Sequence, residues 1–189
     1  MSSRICGTCS LCCKLLPVVS LSKGANTKCQ YQRYSQKGCC KVYNDTNKFP
    51  LECGVWSCRW LTKNDTEDMF RPDRVHYVID TFPDHLTVRD DNTGEEQVWE
   101  AVQIWCDPNY PDAHRDPKLR SYLERRAKEH IIGMVRYNSY DSTIIIAPSL
   151  NKERRWIEIP NRATNWSKEQ LLADAVVKQL YEEKNSDRK

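Results

Sequence analysis

The pattern of apolar and polar positions divides the chain near residue 61 into an irregular first part and a regular remainder. Before this point the large apolar residues are scattered and follow neither the helical period of 3.6 nor the strand period of two. After it, alternation of apolar and polar residues predicts six strands, at 75–80, 86–89, 97–105, 133–138, 143–147 and 156–159. Turn signals at 82–84 and 90–94 separate the first three strands.

Two helices are predicted in the second part of the chain. The first begins at the Asp116-Pro117 pair, because aspartate is a good N-cap and proline is favoured at the first helical position. The second begins at Ser167, which forms a capping box with Gln170. Its buried stripe comprises Leu171, Leu172, Ala175, Val176 and Leu180. We therefore expect an α+β body at 62–189, with a mainly antiparallel sheet and two helices.

The cysteines lie almost entirely in the irregular part. Nine of the ten precede residue 60, at positions 6, 9, 12, 13, 29, 39, 40, 53 and 58. A segment with so little apolar core needs disulfides or a metal to fold. Disulfides are disfavoured because the chain start shows no hydrophobic signal region, which indicates a cytoplasmic protein, and because two cysteine pairs are adjacent in sequence. The pattern predicts an irregular cysteine-rich metal-binding module at 1–61, packed on the sheet.

The motif Cys6-Gly7-Thr8-Cys9-Ser10-Leu11-Cys12-Cys13 resembles the signature of the bacterial YkgJ-type cysteine-cluster proteins, described as zinc- or iron-chelating domains. Three further elements resemble that family: Thr27-Lys28-Cys29, then Gly38-Cys39-Cys40-Lys41-Val42-Tyr43, and finally Pro50-Leu51-Glu52-Cys53 followed by Ser57-Cys58-Arg59-Trp60-Leu61. In the third element the family pattern places Cys40, not Cys39, in the ligand position. The fourth element departs from the family pattern in the residues between its two cysteines. The resemblance spans about residues 4–61 and implies metal chelation without a settled reaction.

The resemblance implies eight metal ligands: Cys6, Cys9, Cys12, Cys13, Cys29, Cys40, Cys53 and Cys58. Eight thiolates could form two four-sulfur sites, whereas bridging cysteines, with Cys39 as a ninth ligand, could form one polynuclear centre. Thiolates suit zinc and iron–sulfur clusters alike. The first three cysteines also match a ferredoxin-type run, whose fourth position is Leu16 here. We favour zinc with a mainly structural role over iron or an iron–sulfur cluster.

Charge and motifs bear on the alternative functions. Residues 1–60 carry nine Lys or Arg and two acidic residues, which favours nucleic-acid binding, but thiolate ligands would cancel much of that charge, so this hypothesis is disfavoured. Some flagellin lysine methylases contain a similar cysteine motif, and an iron–sulfur redox or catalytic protein, accessory to a modifying enzyme, is therefore an alternative.

No apolar run approaches the ~20 residues of a membrane helix. Metal ions are the expected partners, and a protein partner is left open.

One polar loop in the body, at 106–116, combines a thiol, carboxylates, an imidazole and a guanidinium. The favoured interpretation is a rigid connector whose aspartates cap turns and the next helix, and the alternative is a ligand-binding loop. Cys106 is expected to be a small buried thiol. Trp56 and Trp60 flank Cys58 and are predicted to shield the metal centre and join the module to the sheet. No phosphate-loop, dinucleotide or hydrolase motif is present, so no catalytic residue is assigned.

Overall fold

A five-stranded sheet forms the centre of the fold in the computed structural model, which describes residues 4–33, 39–43, 45–89, 93–139 and 141–162. The strands are β1 Tyr77–Arg89, β2 Glu96–Cys106, β3 Ile132–Arg136, β4 Asp141–Ile146 and β5 Ile157–Arg162, and they lie side by side in that order. β2 and β3 are parallel, whereas the other neighbouring pairs are antiparallel. The α+β class is thus confirmed, with a mixed sheet of five strands where six strands were predicted.

The prediction of two strands at 75–80 and 86–89 is wrong, because one long strand covers this part of the chain. In β1 Ile79 pairs with Ile104 and Pro83 pairs with Val102, so β1 bulges between these positions. Proline is tolerated there because a bulge at the sheet edge needs no ladder hydrogen bond from it. The predicted turn at 82–84 is therefore a bulge within a continuous strand.

Five short or medium α-helices accompany the sheet in the described part of the chain: α1 Leu11–Leu15, α2 Leu51–Val55, α3 Arg59–Thr62, α4 Pro72–Val75 and α5 Pro117–Ala127. Single 3-10 turns lie at Val19–Leu21, Asn64–Thr66, Ala113–Arg115 and Pro148–Leu150. Val75 was predicted to begin a strand, but it ends α4, and His76 follows with a left-handed φ of 62°. Pro72 at the first helical position starts this helix, because its fixed φ suits that position.

Helix α5 begins at the Asp116-Pro117 pair, as the sequence predicts. Asp116 accepts a hydrogen bond from the backbone nitrogen of Lys118 at 2.7 Å, and Pro117 occupies the first turn. The apolar face of the helix is buried: Leu119, Tyr122, Leu123 and Ala127. Gly133 lets α5 approach β3, since a Cβ there would meet Leu123 at 3.1 Å. The second predicted helix, from Ser167 to about residue 180, lies outside the described residues.

The two faces of the sheet carry different cores. One face packs against α5 and includes Tyr77, Ile79, Val102, Ile104, Val135 and Ile145. On the other face Val78 and Trp105 of the sheet form a cluster with Leu15 and Cys58, and Trp56 and Trp60 pack against that cluster. The cysteine-bearing segments therefore share a core with the sheet, as predicted for the two tryptophans. No helix among the described residues is long and apolar enough to cross a membrane.

Candidate metal centre

All ten cysteines are free thiols, so none is used in a disulfide. Cys9, Cys29, Cys58 and Cys106 are buried, whereas Cys53 is an exposed residue. The thiols of the nine early cysteines interact electrostatically and are described below as three groups of three, with further interactions between the groups. Each group includes at least one cysteine from a distant stretch of chain, so folding as well as sequence adjacency brings its members together.

The first thiol group consists of Cys6, Cys9 and Cys58. The backbone nitrogen of Cys9 donates to the carbonyl of Cys6 at 2.9 Å, and Gly7 within this turn has a left-handed φ of 57°. A Cβ at Gly7 would meet the guanidinium of Arg71 at 3.2 Å, so glycine suits both the turn and the space. Cys58 interacts electrostatically with the other two thiols. The turn and α3 thereby bring three sulfurs into one neighbourhood.

The second thiol group consists of Cys12, Cys13 and Cys39. Helix α1 carries the two adjacent cysteines, and the thiol of Cys13 interacts electrostatically with that of Cys12, as the thiol of Cys39 does with that of Cys13. The carbonyl of Cys39 accepts a hydrogen bond from the backbone nitrogen of Arg33 at 2.8 Å. A main-chain contact thus helps to fix Cys39, which is distant from α1 in sequence.

The third thiol group consists of Cys29, Cys40 and Cys53, which interact with one another electrostatically. The backbone nitrogen of Cys29 donates to the carbonyl of Cys13 at 3.2 Å, which places this group beside the second. Gln32 forms a bridge with Cys40, and its side chain donates to the hydroxyl of Ser10 at 2.8 Å. These contacts hold the segment around Cys40 against the start of α1.

The remaining member of the third group, Cys53, is positioned through its neighbour in α2. Both carboxylate oxygens of Glu52 accept hydrogen bonds from Ser20, one from the backbone nitrogen at 2.8 Å and one from the hydroxyl at 2.9 Å. Because Ser20 belongs to the turn that follows α1, this contact ties α2 to the segment carrying the second group. Four separate stretches of chain therefore contribute to the three groups.

Burial and mutual repulsion raise the pKa of several of these thiols. Burial, with repulsion from neighbouring thiols, raises the pKa of Cys58 to about 12 and that of Cys53 to about 11. The hydrogen bond with Cys12 raises the pKa of Cys13, and the hydrogen bond with Cys13 raises the pKa of Cys39. Thiolates this close repel one another, and a divalent cation removes that repulsion. Metal binding at these groups would therefore release protons.

A buried lysine lies among the second and third thiol groups. The side chain of Lys23, 8% exposed, donates to the carbonyls of Lys14 at 3.2 Å and Gly24 at 3.1 Å, and also to that of Leu16. Burial lowers its pKa, while the thiols of Cys29, Cys13, Cys53 and Cys12 act in the opposite direction. Lys23 therefore holds the turn after α1 closed and supplies positive charge beside four candidate ligands.

Replacement of Lys23 by methionine is expected to lower the free energy of unfolding by about 2 kcal/mol, since the charged hydrogen bonds to the carbonyls are lost while the volume is kept. Urea denaturation followed by tryptophan fluorescence measures this change. The matched control is Lys28→Met, an exposed lysine in the same segment, for which we expect a change within about 0.5 kcal/mol. Equal effects of the two variants would contradict the role of Lys23.

The 106–116 loop is used mainly for internal contacts, which agrees with its interpretation as a connector. Asp107, 4% exposed, forms an ion pair with Lys14 at 2.5 Å and accepts from the backbone nitrogen of Asn109 at 3.0 Å. The Nδ1 atom of His114 lies 2.8 Å from the carbonyl of Pro111. The Lys14–Asp107 pair links α1 directly to the end of β2. The loop therefore anchors the cysteine-bearing segment to the sheet.

Cys106 lies apart from the three groups, in the core between the sheet and α5. It is 1% exposed, and burial together with Asp107 raises the pKa of its thiol to about 12. This is the small buried thiol that the sequence predicts. Its environment offers a matched control for substitutions in the thiol groups, because it is a buried cysteine of the same chain.

The donor set fits zinc or iron, but the positions of the donors do not close a coordination shell. Free thiols are the soft donors that both metals take in proteins. Among the residues that the structure describes, however, no three Cys, His, Asp or Glu side chains are placed so that they could hold a metal ion. Binding would require the thiols within a group to move closer together.

Sequence reasoning named the thiols but missed the residues that gather them. Lys14, Lys23, Gln32 and Arg71 each make a contact with a partner far along the chain or with several carbonyls. Periodicity and spacing carry no signal for such contacts. An unexplained lysine or glutamine inside a cysteine-rich segment is the only hint that the sequence offers.

All eight predicted ligands belong to the three thiol groups: Cys6, Cys9 and Cys58 to the first, Cys12 and Cys13 to the second, and Cys29, Cys40 and Cys53 to the third. Cys39 joins the second group, which the sequence left open. Comparison with family models, with curated proteins and with solved structures finds no match to this chain.

Proposed function

We propose that this protein chelates zinc through its early cysteine thiolates and that the metal mainly stabilises the fold. The observation that carries the proposal is the gathering of nine free thiols, from four separate stretches of chain, into three interacting groups. Neighbouring thiolates repel one another, and a bound metal ion offsets that repulsion because it accepts thiolates as soft ligands. The proposed ligands are the eight cysteines implied by the resemblance: Cys6, Cys9, Cys12, Cys13, Cys29, Cys40, Cys53 and Cys58.

The apolar content of the first part of the chain supports a structural role. Buried aliphatic residues before residue 61 are few among the described positions: Leu15, Val18 and Val42. A structural zinc ion contributes about 10–16 kcal/mol in small zinc-binding peptides, which exceeds the burial of a few aliphatic side chains. The metal would therefore be a major source of stability for this segment.

Four of the nine Lys and Arg residues in the first part make internal contacts, which reduces the positive charge available to a nucleic acid. Lys14 pairs with Asp107, and Arg59 pairs with Asp65 at 2.6 Å. Lys23 is buried against carbonyls, and Arg4 donates to the hydroxyl of Thr66 at 3.1 Å. Phosphate contacts need exposed Lys and Arg, and these four residues are committed elsewhere. Ten free thiols also favour a reducing, cytoplasmic compartment.

The test is metal analysis of the full chain, purified without oxygen and without added metal. We expect at least one equivalent of zinc per chain, protection of the early thiols from a thiol reagent, and no visible absorption. Stoichiometric iron with visible absorption would replace zinc by the iron–sulfur alternative. Two results together would overturn the proposal. The chain would contain less than one equivalent of either metal, and its early thiols would react as fast in the folded protein as after mild unfolding.

A further inference from the structure

The sheet carries a third apolar cluster, here called the outer cluster, whose buried residues are Ala101, Ile132 and Met134. These residues are 0%, 5% and 2% exposed. The partly buried members come from β1, β2, β4 and the 3-10 turn after β4: Leu86, Trp99, Ile144 and Leu150. Among the residues that the structure describes, the outer cluster therefore has no member in an α-helix.

Strand register extends this apolar surface to the last strand of the sheet. Met134 pairs with Ile144, and Ile144 pairs with Ile159, so these three side chains form one row on one face. Ile146 and Ile157 form the next pair on the same face. Ile159 is 47% exposed, and the other three isoleucines in these pairs are partly exposed. The described part of the chain thus leaves apolar side chains of β4 and β5 open on a face whose centre is buried.

The elements already described cover other parts of the sheet. Trp105 lies on the same face of β2 as Ala101, but its end of that face packs against Leu15 and the cysteine-bearing segments. Val135 of β3 packs in one core with Leu123 of α5. Because successive side chains of a strand point to opposite faces, α5 lies away from the outer cluster. A contiguous open apolar surface of this kind marks a place where something docks.

The same chain contains a segment of matching pattern shortly after β5. Strand β5 ends at Arg162, and an amphipathic helix is predicted from Ser167 to about residue 180, outside the described residues. Its apolar stripe consists of Leu171, Leu172, Ala175, Val176 and Leu180. Only four residues separate the strand from this segment, and elements joined by so short a connection are usually neighbours in space.

The dimensions of the segment and of the face agree. Arg162 pairs with Asp141, so the chain leaves β5 at the end of the sheet where Trp105 lies. A helix that stays in contact with the sheet must then turn back toward the level of Trp99. A helix over residues 167–180 is about 21 Å long, and the distance along β2 from Trp105 to Trp99 is about 20 Å. The segment is therefore long enough to cover the outer cluster.

We propose that residues 167–180 dock with their apolar stripe on the outer cluster and on the isoleucines of β4 and β5. The occupant of this face is thus a segment of the same chain, and the sheet has a helix against each face. The inference is independent of metal binding, because no cysteine is a member of the outer cluster.

The first experiment places a photo-crosslinking side chain on the open part of the face in the full chain. Ile159→p-benzoylphenylalanine puts the probe at a position that is 47% exposed, so its size can be accommodated. We expect irradiation to crosslink the probe to residues 167–180 of the same chain, as mapped by peptide mass spectrometry. The matched control is Val98→p-benzoylphenylalanine, which is 69% exposed on the other face of β2 and should give no crosslink to this segment.

The second experiment needs no probe and tests whether the apolar stripe makes the contact. Leu172→Gln changes a residue of the stripe, and Lys178→Gln creates the same side chain outside it. We expect amide hydrogen exchange of residues 167–180 to accelerate at least about tenfold in Leu172→Gln, because docking loses the burial of one leucine. In Lys178→Gln the exchange rates should stay within about twofold of the wild-type rates.

Three outcomes would overturn the inference. A crosslink from the Ile159 probe to residues 167–180 of another molecule, seen as a covalent dimer, would show that a second copy covers the face. A probe that reaches these residues in neither chain would show that the segment does not dock there. Equal exchange rates in Leu172→Gln and Lys178→Gln would show that the apolar stripe makes no contact. The metal content of the protein is unaffected by any of these outcomes, so the proposed function is tested separately.

Discussion

Cys58→Ser is expected to release bound metal and to unfold the first third of the chain. Cys58 is 9% exposed, belongs to the first thiol group and forms a backbone bridge with Asp80 of β1, so the proposed metal site would adjoin the sheet. Ligand loss removes part of a binding free energy that reaches about 10–16 kcal/mol per structural zinc, and that energy is folding energy for such a segment. Metal content after gel filtration and far-ultraviolet circular dichroism measure the two effects.

Cys106→Ser is the matched control for this variant, because it makes the same chemical change at a residue that is 1% exposed. It should retain the wild-type metal content, although burial of the new hydroxyl lowers stability. Wild-type metal content in Cys58→Ser would show that this thiol is not a ligand. A loss of metal in Cys106→Ser would show that the ligand set extends into the core of the body.

Leu15→Ala is expected to lower the free energy of unfolding by about 2–5 kcal/mol, the range found for leucine-to-alanine changes in protein cores. Leu15 is 0% exposed, and it packs in one cluster with Cys58 of the cysteine-bearing segment and with Val78 and Trp105 of the sheet. Because the cluster is shared, the lost contacts affect both parts of the chain. Urea unfolding should show this change in tryptophan fluorescence and in thiol reactivity together.

Val19→Ala provides the comparison, since Val19 is 58% exposed in the turn just after α1. It should change the free energy of unfolding by less than about 0.5 kcal/mol. If Leu15→Ala shifted thiol reactivity while the fluorescence transition of the sheet stayed at its wild-type position, residues 1–61 would unfold as an independent domain. A single shifted transition is the expected result.

Local chemistry made part of the fold predictable. The Asp116-Pro117 pair marks the start of α5 because both the cap and the fixed proline φ act within a few residues of one another. Alternation placed β2, β4 and β5 near their observed positions, since the side-chain period of a strand is also local. These features depend on neighbours in sequence, and the sequence therefore contains them.

The pairing of the strands depends on contacts that the sequence does not display. Pro83 indicates a turn by its type, yet it is accommodated in β1 because that strand lies at the edge of the described sheet and bulges there. β3 pairs in parallel with β2 after the long connection that contains α5, so the sheet is mixed. Neither outcome follows from the alternation of apolar and polar residues alone.

The candidate site was likewise only partly predictable from the sequence. Spacing and resemblance identified the cysteines, because the motif Cys6-x2-Cys9-x2-Cys12-Cys13 is contained in a few residues. The segment that carries Cys39 is held by the hydrogen bond from Arg33 to the Cys39 carbonyl and by the contact of Gln32 with Ser10. The contact of Gln32 with Ser10 joins residues that are 22 positions apart, so no local sequence pattern predicts it.

The bridge between Cys58 and Asp80 bears on the association of this protein with other copies of itself. β1 is long and lies at one edge of the described sheet, and such an edge can recruit a strand from another molecule into an intermolecular sheet. Pro83 has no N–H group to donate to an added strand, and the bridge between Cys58 and Asp80 lies on the same part of β1. The cysteine-bearing segment thus covers part of this edge, and we expect its detachment to expose the edge of β1 to pairing with another molecule.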